Sequence, residues 1–238
     1  MKILLVGYGK MGKIIERIAQ ERGHEVVGRI TSKNGDTLSQ YNASNTDAAI
    51  EFTRPEIGYN NIKILLQNNI PTVSGTTGWL EHWDEIKELT ANTNGAFFYA
   101  SNFSIGVNIF FKVNKILASI MKNFPAYDVK MEEIHHIHKL DAPSGTAITL
   151  AEDIMEIVTT KTDWALGKSN KKSDLIIEAI REKEVPGTHI IDYSSTIDSI
   201  EIKHEAHNRE GFALGSVLAA EFATQNKGTL SMDDMLKI

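Results

Sequence analysis

Over the first hundred residues, short apolar runs alternate with longer amphipathic stretches. The runs at 2–6, 25–30, 48–52, 71–73 and 96–99 predict strands, because they are short and punctuated by turn-forming residues. Between the first two, segment 12–22 sets Ile14, Ile15, Ile18 and Ala19 on one helical face and stops at Gly23, a residue suited to a C-terminal cap. Segments 55–69 and 79–92 predict two later helices, the first opening on Pro55, where a helix needs no N–H. Strands and helices in strict alternation predict a parallel sheet with right-handed crossovers, whose ligands bind at the carboxyl ends of the strands.

Beyond residue 104 the pattern changes. A long amphipathic helix is predicted over 105–123, then Tyr127 to Glu132, a histidine-rich run, and a helix over 144–160. The polar stretch 161–173, with Gly167 and four lysines, predicts an exposed loop. Segments 175–180, 189–194 and 199–204 resemble antiparallel strands, and the apolar helix 212–223 is long enough to return to the first domain. The expected architecture is therefore α/β: an N-terminal doubly wound parallel sheet in 1–104 and 210–238, and a second α+β domain with an open mixed sheet in 105–209.

Composition narrows this picture without redirecting it. The 238 residues are 42% hydrophobic and 24% charged, as in ordinary globular proteins, and a net charge of -6 supplies no global basic field for nucleic acid. With no cysteine, thiolate nucleophiles, disulfides and Cys-ligated zinc are excluded. The opening apolar run is too short for a signal-peptide core, and no stretch approaches the length needed to span a bilayer, so a cytoplasmic protein without a membrane partner is expected.

Candidate chemistry begins at Gly7-Tyr8-Gly9-Lys10-Met11-Gly12, a G-x-G-x-x-G loop between an apolar strand and an amphipathic helix. Glycines there allow backbone to approach a pyrophosphate, and free helix N–H groups hold its charge; alone the motif is weak, but this Rossmann-like context makes it a dinucleotide site. The end of the second strand carries Arg29, Ser32 and Lys33 and no acid, which suits the extra phosphate of NADPH, with NADH the alternative and a plain solvated turn the bland one. Gly75-Thr76-Thr77-Gly78 and Ala100-Ser101-Asn102-Phe103 follow the fourth and fifth strands and are expected at the same crevice.

The segment from Glu133 to Thr146 concentrates titratable groups: His135, His136, His138 and Lys139 precede Pro143-Ser144-Gly145-Thr146, the start of a helix. Cations beside exposed helix amides make a pocket for a small carboxylate. A satisfied structural histidine or a His-x-His metal site is the competing reading; Lys139 beside the cluster argues against a dication, and no metal is expected.

At this segment the chain resembles the dihydrodipicolinate reductase family, whose pattern E-x-H-H-x-x-K-x-D-A-P-S-G-T is met at every fixed position from Glu133 to Thr146. The resemblance extends to Glu51-Phe52-Thr53-Arg54-Pro55, Gly75 to Gly78, Ser101 to Asn108, and the stretch from His204-Glu205-Ala206 to Arg209 with Phe212-Ala213, in family order. It implies reduction of a cyclic imine dicarboxylate by NAD(P)H in lysine and diaminopimelate biosynthesis, with His135 as proton donor and Lys139 as a second cation and acid. It further implies that His136, Gly145 and Thr146 bind a substrate carboxylate, that Thr77 lies near both ligands, and that the protein is a homotetramer joined through its second-domain sheets. Departures are Val6 at the family's first loop glycine, a shortened region after Lys161, and Gly187-Thr188-His189 where Gly-Glu-His is common. Two rivals remain: another two-domain amino-acid or keto-acid dehydrogenase, which has no reason to carry the His–Lys run, and a non-catalytic NADPH-sensing protein.

Overall fold

The computed structural model describes residues 1–208 and 210–237; Arg209 and Ile238 lie outside the described residues. In chain order the elements begin β1 (Lys2–Val6), α1 (Lys10–Glu21), β2 (Glu25–Ile30), β3 (Ala48–Glu51), α2 (Pro55–Gln67), β4 (Thr72–Ser74), α3 (Trp83–Asn92), β5 (Ala96–Tyr99) and α4 (Ile105–Met121). They continue with β6 (Asp128–His135), α5 (Gly145–Ile157), β7 (Asp163–Leu166), β8 (Asp174–Arg181), β9 (Gly187–Ser194), β10 (Ser199–Ala206), α6 (Glu210–Gln225), β11 (Gly228–Leu230) and α7 (Met232–Leu236). They fall into two compact units, Met1–Asn108 with Glu210–Ile238 and Ile109–Arg209, and the chain passes from one to the other inside α4.

The first unit is a six-stranded sheet in the order β11-β5-β4-β3-β1-β2, parallel at every pairing. Successive residues of β1 serve opposite layers. Ile3 and Leu5 pack with Ile15, Ile18 and Ala19 of α1 and Val217 and Ala220 of α6, whereas Leu4 and Val6 pack with Leu65 of α2 and Leu38. A strand covered on both faces must be apolar throughout, which is why β1 reads as an unbroken run. Burial of each such side chain contributes about 1.5–3 kcal/mol. The return helix α6 is rich in small residues, and a side chain at Gly215 would meet the Phe103 carbonyl oxygen at 1.8 Å. The sheet runs outward from β1 to β2 on one side and to β3 on the other, so the crevice of the doubly wound fold opens at the carboxyl ends of β1 and β3.

The second unit is a five-stranded sheet in the order β10-β9-β6-β8-β7. Val129, Met131, Leu175, Ile177, Ile191 and Tyr193 form a core with Ala118 and Met121 of α4 and Ala147, Leu150, Ala151 and Ile154 of α5. Two expectations need correction here. Segment 161–173 is not all loop: it contains β7, and Lys161 is only 6% exposed, donating to the carbonyls of Lys172 and Asp174 and pairing with Asp128 at 2.7 Å. A four-residue edge strand has too few apolar positions to stand out from a polar loop. Segment 175–180 does form a strand, β8, but it runs parallel to both β6 and β7; only the β6–β9 and β9–β10 pairs are antiparallel. Alternation reports which face is buried and carries no direction.

Candidate functional site

Each unit presents one constellation at the ends of its strands. In the first, β1 runs into Gly7, whose φ of 98° and whose closeness to Phe52 exclude a side chain: a Cβ would lie 1.9 Å from the Phe52 carbonyl oxygen. Gly12 likewise lets α1 pass over the Gly7 carbonyl, where a Cβ would lie at 2.3 Å. Gly9 differs. A Cβ there would meet nothing within 4 Å, and Gly9 begins α1 without any side-chain cap, so among the described residues no capping side chain engages the first helical amides. Val6, which occupies the family's first glycine position, stays in β1 and is fully buried.

A cavity of about 810 Å³ opens against this loop, lined by Gly7, Tyr8, Gly9, Ser32, Thr53 and Arg54 among others. The open cradle at Gly9 and the uncapped helix start fit a dinucleotide pyrophosphate. Of the sequence-predicted cofactor residues, Lys10 and Met11 form the first turn of α1, Ser32 lines the cavity, and Lys33 is exposed beside it. Arg29 is engaged elsewhere: it pairs with Glu16 and lies over the Tyr8 ring, 5.6 Å from its centroid. Arg54 and Asn61, in the cavity wall, were not singled out as binders by sequence reasoning. Arg54 immediately precedes Pro55 as the N-cap residue of α2, in the loop that leaves β3, the position that could have flagged it.

The loops after β3 and β4 are fastened by Glu51. Its carboxylate is fully buried and accepts from the Ser74 hydroxyl at 2.6 Å, the Thr76 hydroxyl at 2.8 Å and the Thr53 hydroxyl, while the Thr53 amide donates to Thr76 Oγ1 at 2.8 Å. Burial pushes the Glu51 pKa up, against these hydrogen bonds. Thr76 is thus committed to the scaffold and only 5% exposed, whereas Thr77 is exposed and Gly75 packs on the Phe52 ring. In the last predicted loop, Ala100 and Phe103 are buried, Ser101 is exposed, and Asn102 caps the turn into α4 by accepting from the Ser104 amide at 2.9 Å.

In the second unit, β6 alternates its side chains so that Glu133 and His135 share the buried face. Glu133 is fully buried and accepts from the Ser144 amide at 3.0 Å and from Arg181 Nη2 at 3.0 Å. The same guanidinium donates to the carbonyl oxygens of Asp141, at 2.7 Å, and Lys139, at 3.4 Å. One buried ion pair therefore fastens the whole run between β6 and α5. Burial alone would raise the Glu133 pKa, but hydrogen bonds from Ser144 and Arg181 outweigh it and hold the carboxyl below its usual range.

Around this anchor, His135 is 7% exposed and 3.6 Å from the Glu133 carboxylate; burial lowers its pKa, and Lys139 and Arg181 lower it further against the opposing pull of Glu133. Lys139 reaches both carboxylate oxygens of Asp141, at 2.8 and 2.9 Å. Ser144 caps α5 through its hydroxyl, which accepts from the Ala147 amide, and Gly145 and Thr146 form the first turn, Gly145 exposed and Thr146 half-buried. His136 follows His135 directly and is half-buried. Sequence reasoning missed His189 and Arg181. His189 contacts the Ser144 hydroxyl at 3.3 Å, its ring stands 5.2 Å from that of His135, and burial lowers its pKa to about 4. Glu133, His135 and His189 each offer an atom within 4.8 Å of the others, a donor set with metal-ligand chemistry. Arg181 and Lys139 beside it disfavour a dication electrostatically.

Residues 1–103 match the family model described as dihydrodipicolinate reductase, N-terminus, and residues 106–236 match that for its C-terminus. The chain belongs to the dihydrodipicolinate reductase family. Its relatives include the 4-hydroxy-tetrahydrodipicolinate reductase of Christiangramia forsetii, 45% identical over 99% of this chain and 98% of that one. That of Staphylococcus saprophyticus is 34% identical over 99% of this chain and 100% of that one. Among solved structures, a dipicolinate-bound dihydrodipicolinate reductase from Paenisporosarcina sp. TG-14 superposes with a TM-score of 0.80 at 20% identity, covering 98% of both chains. An engineered D-amino acid dehydrogenase bound to NADP+ reaches only 0.53 at 13% identity, a likeness of fold. The family match spans both constellations, the glycine loop in its N-terminal part and the Glu133–Thr146 run in its C-terminal part. Among the described residues no helix is long and apolar enough to cross a membrane.

Proposed function

We propose that this chain is a cytoplasmic 4-hydroxy-tetrahydrodipicolinate reductase, reducing the cyclic imine dicarboxylate derived from 4-hydroxy-tetrahydrodipicolinate to tetrahydrodipicolinate with NAD(P)H. The observation that carries this reading is the Glu133–Arg181 pair, which holds His135, Lys139 and the opening turn of α5 in one cluster. A solvated turn would not need a buried ion pair to fix it.

The nicotinamide cofactor supplies the hydride. Gly7, Gly9 and the first turn of α1 hold its pyrophosphate, and Ser32 and Lys33 favour NADPH over NADH because the residues that follow β2 offer a 2′-phosphate a hydroxyl and a cation. Thr77 and Ser101, exposed on their loops, serve the nicotinamide end. One substrate carboxylate sits at the amides of Gly145 and Thr146 with His136, and Lys139 adds positive charge. Hydride addition leaves an electron-rich enamine that must be protonated. His135 delivers that proton: burial disfavours its charged form, and a doubly negative ring beside it draws its pKa back up so that it can carry one. Lys139 and the α5 amides stabilise the charge that develops on the ring. The assembly we propose is a homotetramer joined through the second unit's sheets.

A coupled assay tests the reading. With the upstream synthase generating substrate in place, reduced nicotinamide should be consumed in proportion to this protein. Binding of NADPH with no consumption would leave the sensing module standing, and consumption with unrelated keto acids instead would favour the general dehydrogenase.

A further inference from the structure

Tyr8, in the wall of the cofactor cavity, forms a closed cluster with Glu16 and Arg29. Glu16 is an acid on the first helix, yet only 8% of it is exposed. It accepts from the Tyr8 hydroxyl and from Arg29, whose Nε donates to Oε2 at 3.1 Å, and the guanidinium lies over the Tyr8 ring. Hydrogen bonding from Arg29 is the largest influence holding the Glu16 carboxyl below its ordinary pKa, so it stays charged through the neutral range. Tyr8, Thr31 and Ser32 line the cavity; Arg29 does not, although it stands two residues before Thr31.

Arg29 is the cation nearest the end of β2, where the adenosine ribose of a dinucleotide is read. A guanidinium already bonded to a carboxylate has its fork occupied, and that carboxylate repels a second anion. The Arg29 side chain is 42% exposed, so it is free to swing once released. We propose that Glu16 sets the discrimination between the two nicotinamide dinucleotides, by holding Arg29 on Tyr8 and away from an adenosine 2′-phosphate bound at Ser32. Glu16 thereby keeps the preference for NADPH small. This rests on the cofactor reading above and adds the residue that sets its size.

The test is a titration of the intact enzyme, without substrate, with NADPH and with NADH, following nicotinamide fluorescence. In Glu16→Gln the released Arg29 should tighten NADPH binding about tenfold while NADH moves less than about twofold, the worth of one charge-assisted contact. The gain should shrink at high salt and vanish in Glu16→Gln combined with Arg29→Gln. Should Glu16→Gln fail to fold, Glu16→Asp, with its shorter reach, should move the ratio the same way by a smaller factor. Weaker NADPH binding, equal changes for both dinucleotides, or a gain that survives the double substitution would overturn the proposal. Wild-type protein that binds neither dinucleotide would instead overturn the cofactor reading itself.

Discussion

Glu51 and Glu133 are both fully buried carboxylates near the carboxyl end of a strand, and both tie down the loops beyond it, yet their partners differ in kind. Glu51 meets three neutral hydroxyls and, among the described residues, no cation; Glu133 meets a guanidinium and a backbone amide at a helix start. The first has its pKa raised and the second lowered. A carboxylate among hydroxyls costs little to neutralise and serves as a spacer between loops. One paired with arginine is committed to its charge, and it sits where the proposed chemistry needs a fixed field.

The contrast is broken most severely at the charged site. Glu133→Ala should cost about 3–5 kcal/mol in urea unfolding, because it leaves Arg181 and the Ser144 amide without their buried partner. A loss below about 1 kcal/mol would show the pair to be incidental. Arg181→Lys keeps the charge but loses the fork that spans Glu133 and the Asp141 carbonyl, so a smaller loss of about 1–2 kcal/mol is expected, with turnover falling more than cofactor affinity. Glu51→Gln should be the mildest change, under about 1 kcal/mol, since an amide still accepts from hydroxyls.

The pH dependence sharpens the same comparison, with opposite signs. Glu133 has a folded pKa below its unfolded value, so its contribution is present above the unfolded pKa and is lost as pH falls through the folded one. Glu51 has a raised folded pKa, so its contribution is full below the unfolded pKa and is lost as pH rises through the folded value. Stability measured against pH should therefore fall less steeply on the acid side in Glu133→Gln than in wild type, and gain at neutral pH in Glu51→Gln relative to acid pH. Matching profiles for the two variants would contradict the distinction.

Much of this was legible in the chain. The parallel sheet followed from unbroken apolar strands between amphipathic helices, and the helix over 212–223 could be assigned back to the first domain by its length and apolarity; it packs there as α6. The His135–Lys139 run stood out because its residues are adjacent. Arg181 and His189 did not, because they meet Glu133 across β8 and β9, and strand pairing over dozens of residues leaves no local trace. Strand direction was invisible for the same reason, so β8 was expected to be antiparallel. The short strands β7 and β11 carry too few residues to show a period. Arg29 was visible as a cation near the ribose end, but its partner Glu16 is one helix away.

The central claim is that the second unit performs the chemistry while the glycine loop only holds the cofactor. Its most direct test measures NADPH affinity and turnover together in His135→Ala. The account predicts an affinity within about twofold of wild type and turnover reduced about 100-fold, the usual worth of a positioned proton donor. Near-normal turnover, or a loss traced wholly to weaker NADPH binding, would contradict it.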